Sequence, residues 1–459
     1  MNGVAGKAGL GDRMPAGCGT LIARHTTILD DQLSTGPFVV RDCQLARERV
    51  LSLHSLIKFR TALAFALAIC LLTYVTPVRA AAALDACIYL SKSLDAISTG
   101  PAFLPSYPTV RSGPLNNTAF LYDNAVAIIA LVACREPKKA ARIGDAMLLA
   151  LDGDRYWHDG RLRNAYLAGP VGYGTVKLPG YWDSNQNKWI EDAYQVGSDS
   201  GNLAWAILAL VALDRSTHDQ RYLDGAQRIG GWLTQWSSRK GAGGFTGGTF
   251  GEEPDPKAET WKSTEHNTDL AAAFSSLADV TGNKKWLHQA QQAKKFVQAM
   301  WSRTCRCFYA GTVENGVTYN QYVALDAQLF PLLALPRAAA SYATALSTAK
   351  NEIGVNGGFA YGAAKGGLWT EGTAQAALYL ELSKNEAEAS DLIKTLQKMH
   401  ALDGDYYATD VNSLPTGFSL ETDPSQSRQY FHIIHLAATS WVAIAERRFN
   451  PFTGKSSLP

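Results

Sequence analysis

Residues 260–300, TWKSTEHNTDLAAAFSSLADVTGNKKWLHQAQQAKKFVQAM, contain two helices of different kinds. The first, 265–280, is apolar almost all round, which is typical of a helix buried on every side. The second, 283–300, is apolar on one stripe only, which is typical of a helix that covers a core. The stretch therefore predicts a pair in which an inner helix is covered by an outer one.

The same pair recurs along the chain. Apolar helices are predicted at 122–134, 199–213, 265–280, 326–335, 371–382 and 435–446. Amphipathic helices follow the first five, at 138–152, 217–237, 283–300, 336–350 and 386–400, and one more stands first, at 84–98. The helix at 326–335 contains Pro331, which should kink or shorten it.

Six inner helices, each with an outer partner, predict an all-α fold, an (α/α)6 toroid formed by residues 81–459 as a single domain. Closure pairs the last inner helix with the unpaired outer helix at 84–98. The alternative is an open helical solenoid, whose terminal helices need a polar outer face. The final helix, HLAATSWVAIAE at 435–446, is as apolar as the central ones, and this favours a closed ring.

The segment 57–80 has the features of a signal peptide. Lys58 and Arg60 precede an apolar stretch at 61–75, and small residues at 78–80 predict cleavage after Ala80. We expect a secreted or periplasmic monomer. An uncleaved membrane anchor is the alternative, although the run is short for a transmembrane helix. Residues 1–56 are interpreted as a disordered leader or as a start assigned too far upstream.

Four cysteines remain after this cleavage. Cys87 and Cys134 fall at the same end of neighbouring antiparallel helices, so an exported protein can join them. Cys305 and Cys307 are expected to be too close in sequence for an easy disulfide. A single Cys-x-Cys pair is also a weak zinc motif.

The amino-acid composition limits the classes of function that the protein can have. The chain is 46% hydrophobic and 18% charged, with a formal net charge of +2 and no basic stripe, which argues against a nucleic-acid partner. Its 11 Trp and 19 Tyr residues suit stacking on flat ligand faces.

Carboxylates open five of the six inner helices: Asp123, Asp199, Glu265, Asp326 and Glu371. All inner helices of a toroid run the same way, so these acids should meet at one mouth. Each acid alone is explained as a helix cap or by the helix dipole, an effect of about 0.3–1 kcal/mol. Five like charges facing one cavity repel each other, and this favours a functional site.

Aromatic residues accompany these acids. Tyr122, Trp261 and Trp369 lie within four residues of an acidic helix start, and the long segment 153–198 includes Trp182. Long loops at one rim usually line a binding cleft. Aromatic rings beside carboxylates suit carbohydrate, because rings stack on sugar faces while acids bind hydroxyls or transfer protons.

The sequences LYDNAVAIIAL, STEHNTDLAAAF, LWTEGTAQAALYL and RRFNPF, within residues 84–452, resemble the six-hairpin glycosidase-like proteins. This resemblance implies glycoside hydrolysis by paired carboxylates at the inner-helix mouth. It leaves the substrate open. The same toroid hosts polysaccharide lyases and sugar epimerases, so the fold alone proves no reaction.

Glycoside hydrolysis needs a protonated carboxyl and an ionised one. Glu265 is the predicted acid, because Asp269 follows one turn deeper and should raise its pKa. Asp123 is the predicted second carboxylate, and Glu371 is the alternative for either role. Predicted substrate ligands are Asp269, Asp199, Asp326, His266, Asn124, Asn267, Gln375, Tyr122, Trp182, Trp261 and Trp369.

No cofactor and no metal is expected, although His266 and Asp269 have the spacing of two ligands on one helix face. His432 and His435 lie near enough to the last inner helix to reach the mouth. A lyase or epimerase would use His and Tyr, and a lyase would also need a cationic cluster, for which Arg161, Arg163 and Arg428 are candidates. The third hypothesis is a noncatalytic glycan-binding or export-accessory protein.

Overall fold

A computed structural model describes residues 85–335 and 342–459, all within one compact unit. The predicted signal segment at 57–80, its cleavage site and residues 1–56 lie outside the described residues. None of the helices in the described ranges is both long and apolar enough to cross a membrane.

Thirteen helices lie in the described ranges; twelve lie near predicted helices, whereas the four-residue helix Ala193–Val196 lies in a segment for which no helix was predicted. They are α1 (85–95), α2 (Leu121–Ala133), α3 (Pro137–Asp152), α4 (Ala193–Val196), α5 (Ser200–Thr217), α6 (Gln220–Leu233), α7 (Thr264–Thr281), α8 (Lys284–Ala299), α9 (Leu325–Ala334), α10 (Thr344–Ile353), α11 (Thr370–Leu382), α12 (Glu386–Gln397) and α13 (Leu436–Glu446).

The inner helices form a closed ring. Helix α2 packs on α5, α5 on α7, α7 on α9, α9 on α11, α11 on α13, and α13 on α2 again. Helices α3, α6, α8, α10 and α12 each pack on the inner helix that precedes them in the chain. Helix α1 is held by a disulfide to the end of α2. The predicted (α/α)6 toroid is confirmed, and the open solenoid is excluded.

Backbone hydrogen bonds lock the ring at its mouth. The first N–H of every inner helix donates to a carbonyl in the loop that leads to the next inner helix. The six pairs, with N–O distances of 2.8–3.0 Å, are Leu121 to Asn164, Ser200 to Gly247, Thr264 to Ala310, Leu325 to Tyr361, Thr370 to Ala408, and Leu436 to Ser106. The last pair closes the circle.

Short antiparallel strands, which the helical periodicity did not predict, join the loops. They are β1 (Ala102–Phe103), β2 (Thr118–Phe120), β3 (Ala165–Leu167), β4 (Gly169–Pro170), β5 (Tyr181–Asp183), β6 (Lys188–Ile190), β7 (Ser198–Asp199), β8 (Gly248–Phe250), β9 (Lys257–Glu259), β10 (Lys262–Ser263), β11 (Trp301–Ser302), β12 (Cys307–Phe308), β13 (Gly311–Thr312), β14 (Tyr319–Asn320), β15 (Gly354–Val355), β16 (Gly358–Phe359), β17 (Ser413–Ser419) and β18 (Ser427–Phe431). The sheets are β1–β4, β2–β3, β5–β6, β7–β8–β9, β10–β13–β14, β11–β12, β15–β16 and β17–β18.

Strands β2, β7 and β10 run directly into inner helices and pair with the following loop. Gly248 and Gly311 are the partners of Asp199 and Ser263 in two of these pairs, and both have positive φ. A Cβ at Gly311 would lie 1.9 Å from the Lys262 carbonyl oxygen. Glycine is therefore needed where the loops close on the helix starts.

Aromatic side chains fill the axis of the ring. The Trp205 ring lies 5.6 Å from Trp441 and 5.9 Å from Phe330. Phe452, which follows α13, completes this cluster at 5.1 Å from Trp205. The axis is a packed core below the mouth, and any ligand must bind above it.

Pro331 lies inside α9 and does not end it. Helix α9 has 10 residues, whereas α5 and α7 have 18 each. Helix α13 has 11 residues without a proline, so the length of α9 alone does not test the predicted effect of Pro331.

Both pairs of cysteines that lie in the described residues are disulfides. Cys87 is bonded to Cys134, as the helix arrangement allowed. Cys305 is bonded to Cys307, so the expectation that these two are too close was wrong. Between them Arg306 adopts a left-handed conformation with φ of 54°, and the turn brings the two Cα atoms to 5.2 Å.

Candidate active site

The acids at the helix starts do not serve as caps. Ser263, not Glu265, caps α7, by accepting a hydrogen bond from the His266 amide at 3.2 Å. Helices α2, α9 and α11 begin after Phe120, Ala324 and Trp369, which provide no side-chain cap. Asp199 stands at the cap position of α5 but makes no capping hydrogen bond. The carboxylates are therefore not used for helix capping and are available for a functional role.

Four carboxyl groups from three helices form the centre of the mouth: Glu265 and Asp269 on α7, Asp326 on α9 and Glu371 on α11. Burial raises the pKa of Glu265 to about 7. The pKa of Asp269 is raised well above its ordinary value by burial and by Glu265. Burial, Glu265, Glu371 and Asp269 do the same to the pKa of Asp326. The electrostatic effects on Asp269, Asp326 and Glu371 indicate that the four groups lie close to one another.

Glu371 is held by a hydrogen bond and by a nearby histidine. Tyr122 donates to Oε1 of Glu371 and accepts a hydrogen bond of 2.9 Å from the Trp441 indole. The Glu371 Oε2 atom lies 3.9 Å from Nδ1 of His435. Burial raises the pKa of Glu371 to about 7, although His435 and Tyr122 both lower it.

His435 bridges two carboxylates. Its Nε2 atom lies 3.2 Å from Oδ2 of Asp123, and its ring stacks on Tyr107 at 4.8 Å. Burial lowers the pKa of His435, but the charges of Asp123 and Glu371 outweigh burial and raise it. His435 immediately precedes α13, so the sixth inner helix contributes a histidine where the other five contribute an acid.

Tyrosines from three loops wall the mouth. Tyr430 of β18 lies 5.8 Å from His435 and 6.0 Å from Tyr361, measured between ring centroids. Burial and the nearby carboxylates raise the pKa of Tyr107, Tyr361 and Tyr430 well above the usual value. The three hydroxyls remain protonated donors at neutral pH.

A second acidic group lies beside α5. Asp199 and Glu259 are both buried, and burial raises their pKa values to about 8 and about 7. The Arg428 guanidinium opposes this effect on Asp199, binds Glu421 at 2.5 Å and stacks 4.5 Å above the Tyr194 ring. His266 lies nearby, with its pKa lowered to about 4 by burial and by Arg428.

Two predicted substrate ligands have structural roles. The Asn124 side chain accepts from the Leu104 amide at 2.9 Å and donates to the Leu104 carbonyl at 3.0 Å. Asn267 makes the same pair of bonds with Phe245. Because backbone groups occupy both amides, the contacts of Asn124 and Asn267 are structural, and their binding of substrate stays a prediction.

The other predicted residues occupy three different environments. Gln375 is fully buried, and its side-chain amide lies within hydrogen-bonding range of the Asp326 carboxyl. Trp369 is only 1% exposed and packs 4.8 Å from Tyr361, so it supports the wall and presents no free face. Trp261 is half-buried against the His266 ring, while Trp182 lies on an exposed hairpin.

Several groups at the mouth were not predicted from the sequence. His435 was noted but given no role, and Tyr107, Tyr361, Tyr430 and Glu259 were not selected. The signal for His435 was its position directly before the last inner helix, equivalent to Asp199 before α5. Within the described ranges, no group of three or more His, Cys, Asp or Glu side chains is arranged to hold a metal ion.

The fold is shared with solved carbohydrate-active proteins. A glycosidase solved in complex with glucose matches with a TM-score of 0.54 and 13% identity, over 81% of this chain and 98% of that one. A family 76 glycoside hydrolase from Bacteroides thetaiotaomicron matches at 0.52 and 13%, over 80% and 77%. A cellobiose 2-epimerase from Bacillus thermoamylovorans matches at 0.53 and 10%, over 78% and 95%.

These likenesses show that the chain has the six-hairpin glycosidase-type fold. At 10–13% identity they leave the reaction and the substrate to the site itself. The sequence matches no family profile and no curated protein.

Proposed function

We propose that this protein is a glycoside hydrolase that acts on a polysaccharide or oligosaccharide outside the cytoplasm. One observation carries the proposal. Glu265 and Glu371, on different inner helices, lie in one desolvated space in which burial raises both pKa values to about 7, and the charge of Glu265 adds to the effect on Glu371. Such a pair holds one proton near neutral pH, which is the state that glycoside hydrolysis requires.

Glu265 is proposed as the proton donor to the leaving oxygen. It is half-buried, whereas Asp269 and Asp326 lie deeper, and burial beside these carboxyls keeps its proton on near neutral pH. Substrate arriving from the mouth meets Glu265 before the two aspartates.

Glu371 is proposed as the ionised partner, which attacks the sugar or activates water. The Tyr122 hydroxyl and His435 both favour its charged form. The sequence pattern had indicated Asp123 for this role. We assign Asp123 instead to holding His435, because the Nε2–Oδ2 distance of 3.2 Å joins those two groups directly.

Epimerisation is the second candidate, because a histidine lies between two carboxylates in the mouth and one solved protein of this fold is an epimerase. Export is supported by the two disulfides, which persist in oxidising compartments.

A polysaccharide panel tests the proposal. Hydrolysis produces reducing ends without absorbance near 235 nm, elimination produces both, and epimerisation changes the sugar composition without cleavage. E265Q and E371Q should each lower kcat by about 10²- to 10⁴-fold. E386Q is the matched control, since Glu386 opens the outer helix α12 and is exposed. Full activity in either site variant would refute the assigned roles.

A further inference from the structure

Two tryptophans stand side by side on a surface hairpin. Strands β5 and β6 pair so that Trp182 lies directly opposite Trp189. Opposite residues of an antiparallel pair project from the same face, with Cβ atoms about 5 Å apart. Both side chains are 58% exposed. Two large aromatic residues exposed together on one face are an unusual surface feature.

The hairpin presents its rings in a fixed way. A Cβ at Gly180 would lie 2.4 Å from Nε1 and 2.6 Å from Cε2 of Trp189, so the indole rests directly on the glycine backbone. At the turn, Asp183 accepts hydrogen bonds from the Asn185 amide at 2.8 Å and the Gln186 side chain at 2.9 Å. One indole face is therefore seated and the rest of the ring is open to solvent.

A chain of charges anchors the base of the hairpin. Glu191, directly after β6, accepts two hydrogen bonds of 2.8 and 2.6 Å from Arg155. Arg155 also binds Glu253, which binds the fully buried Arg163 at 2.8 Å. Arg163 in turn binds Asp154 at 2.6 Å. Buried ion pairs contribute little net stability, so this network mainly fixes the position of the segment.

The hairpin belongs to the rim of the mouth. Asp192 caps α4, in which Tyr194 stacks under Arg428, and Asp199 follows at the start of α5. Trp189 precedes Tyr194 by five positions and Trp182 precedes it by twelve, and both tryptophans lie outside the carboxylate cluster.

We propose that Trp182 and Trp189 form a surface platform that binds an extended carbohydrate chain by stacking on its sugar rings, separate from the catalytic centre. The proposal of this platform depends on the proposed carbohydrate substrate. It does not depend on the roles given to Glu265 or Glu371. Two side chains provide far less area than the roughly 1,000 Å² of a stable protein interface, whereas ring stacking needs only flat exposed faces.

Affinity electrophoresis in gels that contain each polysaccharide tests the platform. At least one polymer should retard the wild type, and W182A/W189A should bind it about tenfold more weakly, since buried aromatic anchors dominate such contacts. Y173A is the matched control, because Tyr173 is a 97% exposed aromatic residue in the same segment. Polymer binding should also shift tryptophan emission to the blue in the wild type and not in the double variant.

Turnover separates this proposal from the proposed function. W182A/W189A should lose kcat/KM on the polymer, and W189A alone should keep kcat/KM on short soluble oligosaccharides. Binding without any turnover would refute the hydrolase and leave the platform standing. The platform is refuted if no polymer retards the wild type, or if the double variant is retarded equally. It is also refuted if the tryptophans instead drive self-association, seen as a dimer that W182A/W189A abolishes.

Discussion

At the scale of single residues, similar carboxyl groups differ because their neighbours differ. Asp123 faces the imidazole of His435, Glu371 faces both that imidazole and the Tyr122 hydroxyl, and Asp269 faces another carboxyl group. Pairs of titratable groups pushed toward different protonation states are the usual basis of acid–base catalysis. The neighbours therefore decide which acid keeps its proton.

The charge on His435 should determine how steeply kcat/KM falls on the acidic side of its pH profile. The groups that face it are Asp123, Glu371, Tyr107 and Tyr430. H435Q removes a positive charge, so the pKa of Glu371 should rise further and kcat/KM at pH 6 should fall by about tenfold, with little change at pH 8.

H432Q is the control for this prediction. His432 is three residues away, stacks on Tyr407 at 4.2 Å and contacts the Thr409 carbonyl. A parallel loss at both pH values in H435Q would point to a structural role and contradict the electrostatic one.

The Asp269 carboxyl group should lower the free energy of unfolding at neutral pH. Its folded-state pKa is raised above the unfolded value, so its stabilising contribution is complete below about pH 4 and is lost as the pH rises toward the folded pKa. D269N does not titrate, and it should be more stable than the wild type by about 1–2 kcal/mol at pH 8 and by almost nothing at pH 4. Urea unfolding measures this, with exposed D391N as the control.

At the scale of elements, a polar residue three positions after the first residue clamps most inner helices to a loop. Asn124, Asn267 and Gln328 each bind both backbone groups of a residue about 20 positions earlier. In the same position, Thr373 and Thr439 accept from the Phe359 and Tyr406 amides. Helix α5 is the exception, because it has the apolar Leu203 in this position. The clamp fixes each helix start, and with it the neighbouring acid.

Removing one clamp should cost stability rather than chemistry. N267A leaves the buried N–H and C=O of Phe245 without their partner, which should destabilise the fold by about 2–4 kcal/mol. The folded fraction should retain its kcat within about threefold, in contrast to E265Q. Calorimetry and kinetics at a temperature well below the melting point decide this. A large kcat loss in fully folded N267A would instead support the predicted substrate-binding role.

At the scale of the whole molecule, the ring is a single cooperative unit. Helix α13 contacts both α11 and α2, and Leu436 makes the sixth hydrogen bond of the mouth. Phe452 completes the axial aromatic cluster from beyond α13. No inner helix of the described part is terminal in the packing sense, although one is last in the chain.

A chain that ends at Ile434 should therefore fail to fold. It exposes the inner faces of α11 and α2, and it removes His435 and α13 from the mouth. An open solenoid would lose only the contacts of its last repeat. Circular dichroism and size-exclusion chromatography should show loss of helix and aggregation, whereas a chain that ends at Ser457 should match the wild type. Retention of most helix in the shorter chain would contradict cooperative closure.

Local sequence determined the alternating order of inner and outer helices, because apolar periodicity reports the burial of each face. It also predicted the convergence of Asp123, Asp199, Glu265, Asp326 and Glu371, since the ring places all inner-helix starts at one end. Only the tertiary structure decided what surrounds them. The contact of His435 with Asp123, the clamps of Asn124 and Asn267, the burial of Trp369 and the Cys305–Cys307 bond depend on how loops meet, and periodicity carries no information about loop contacts.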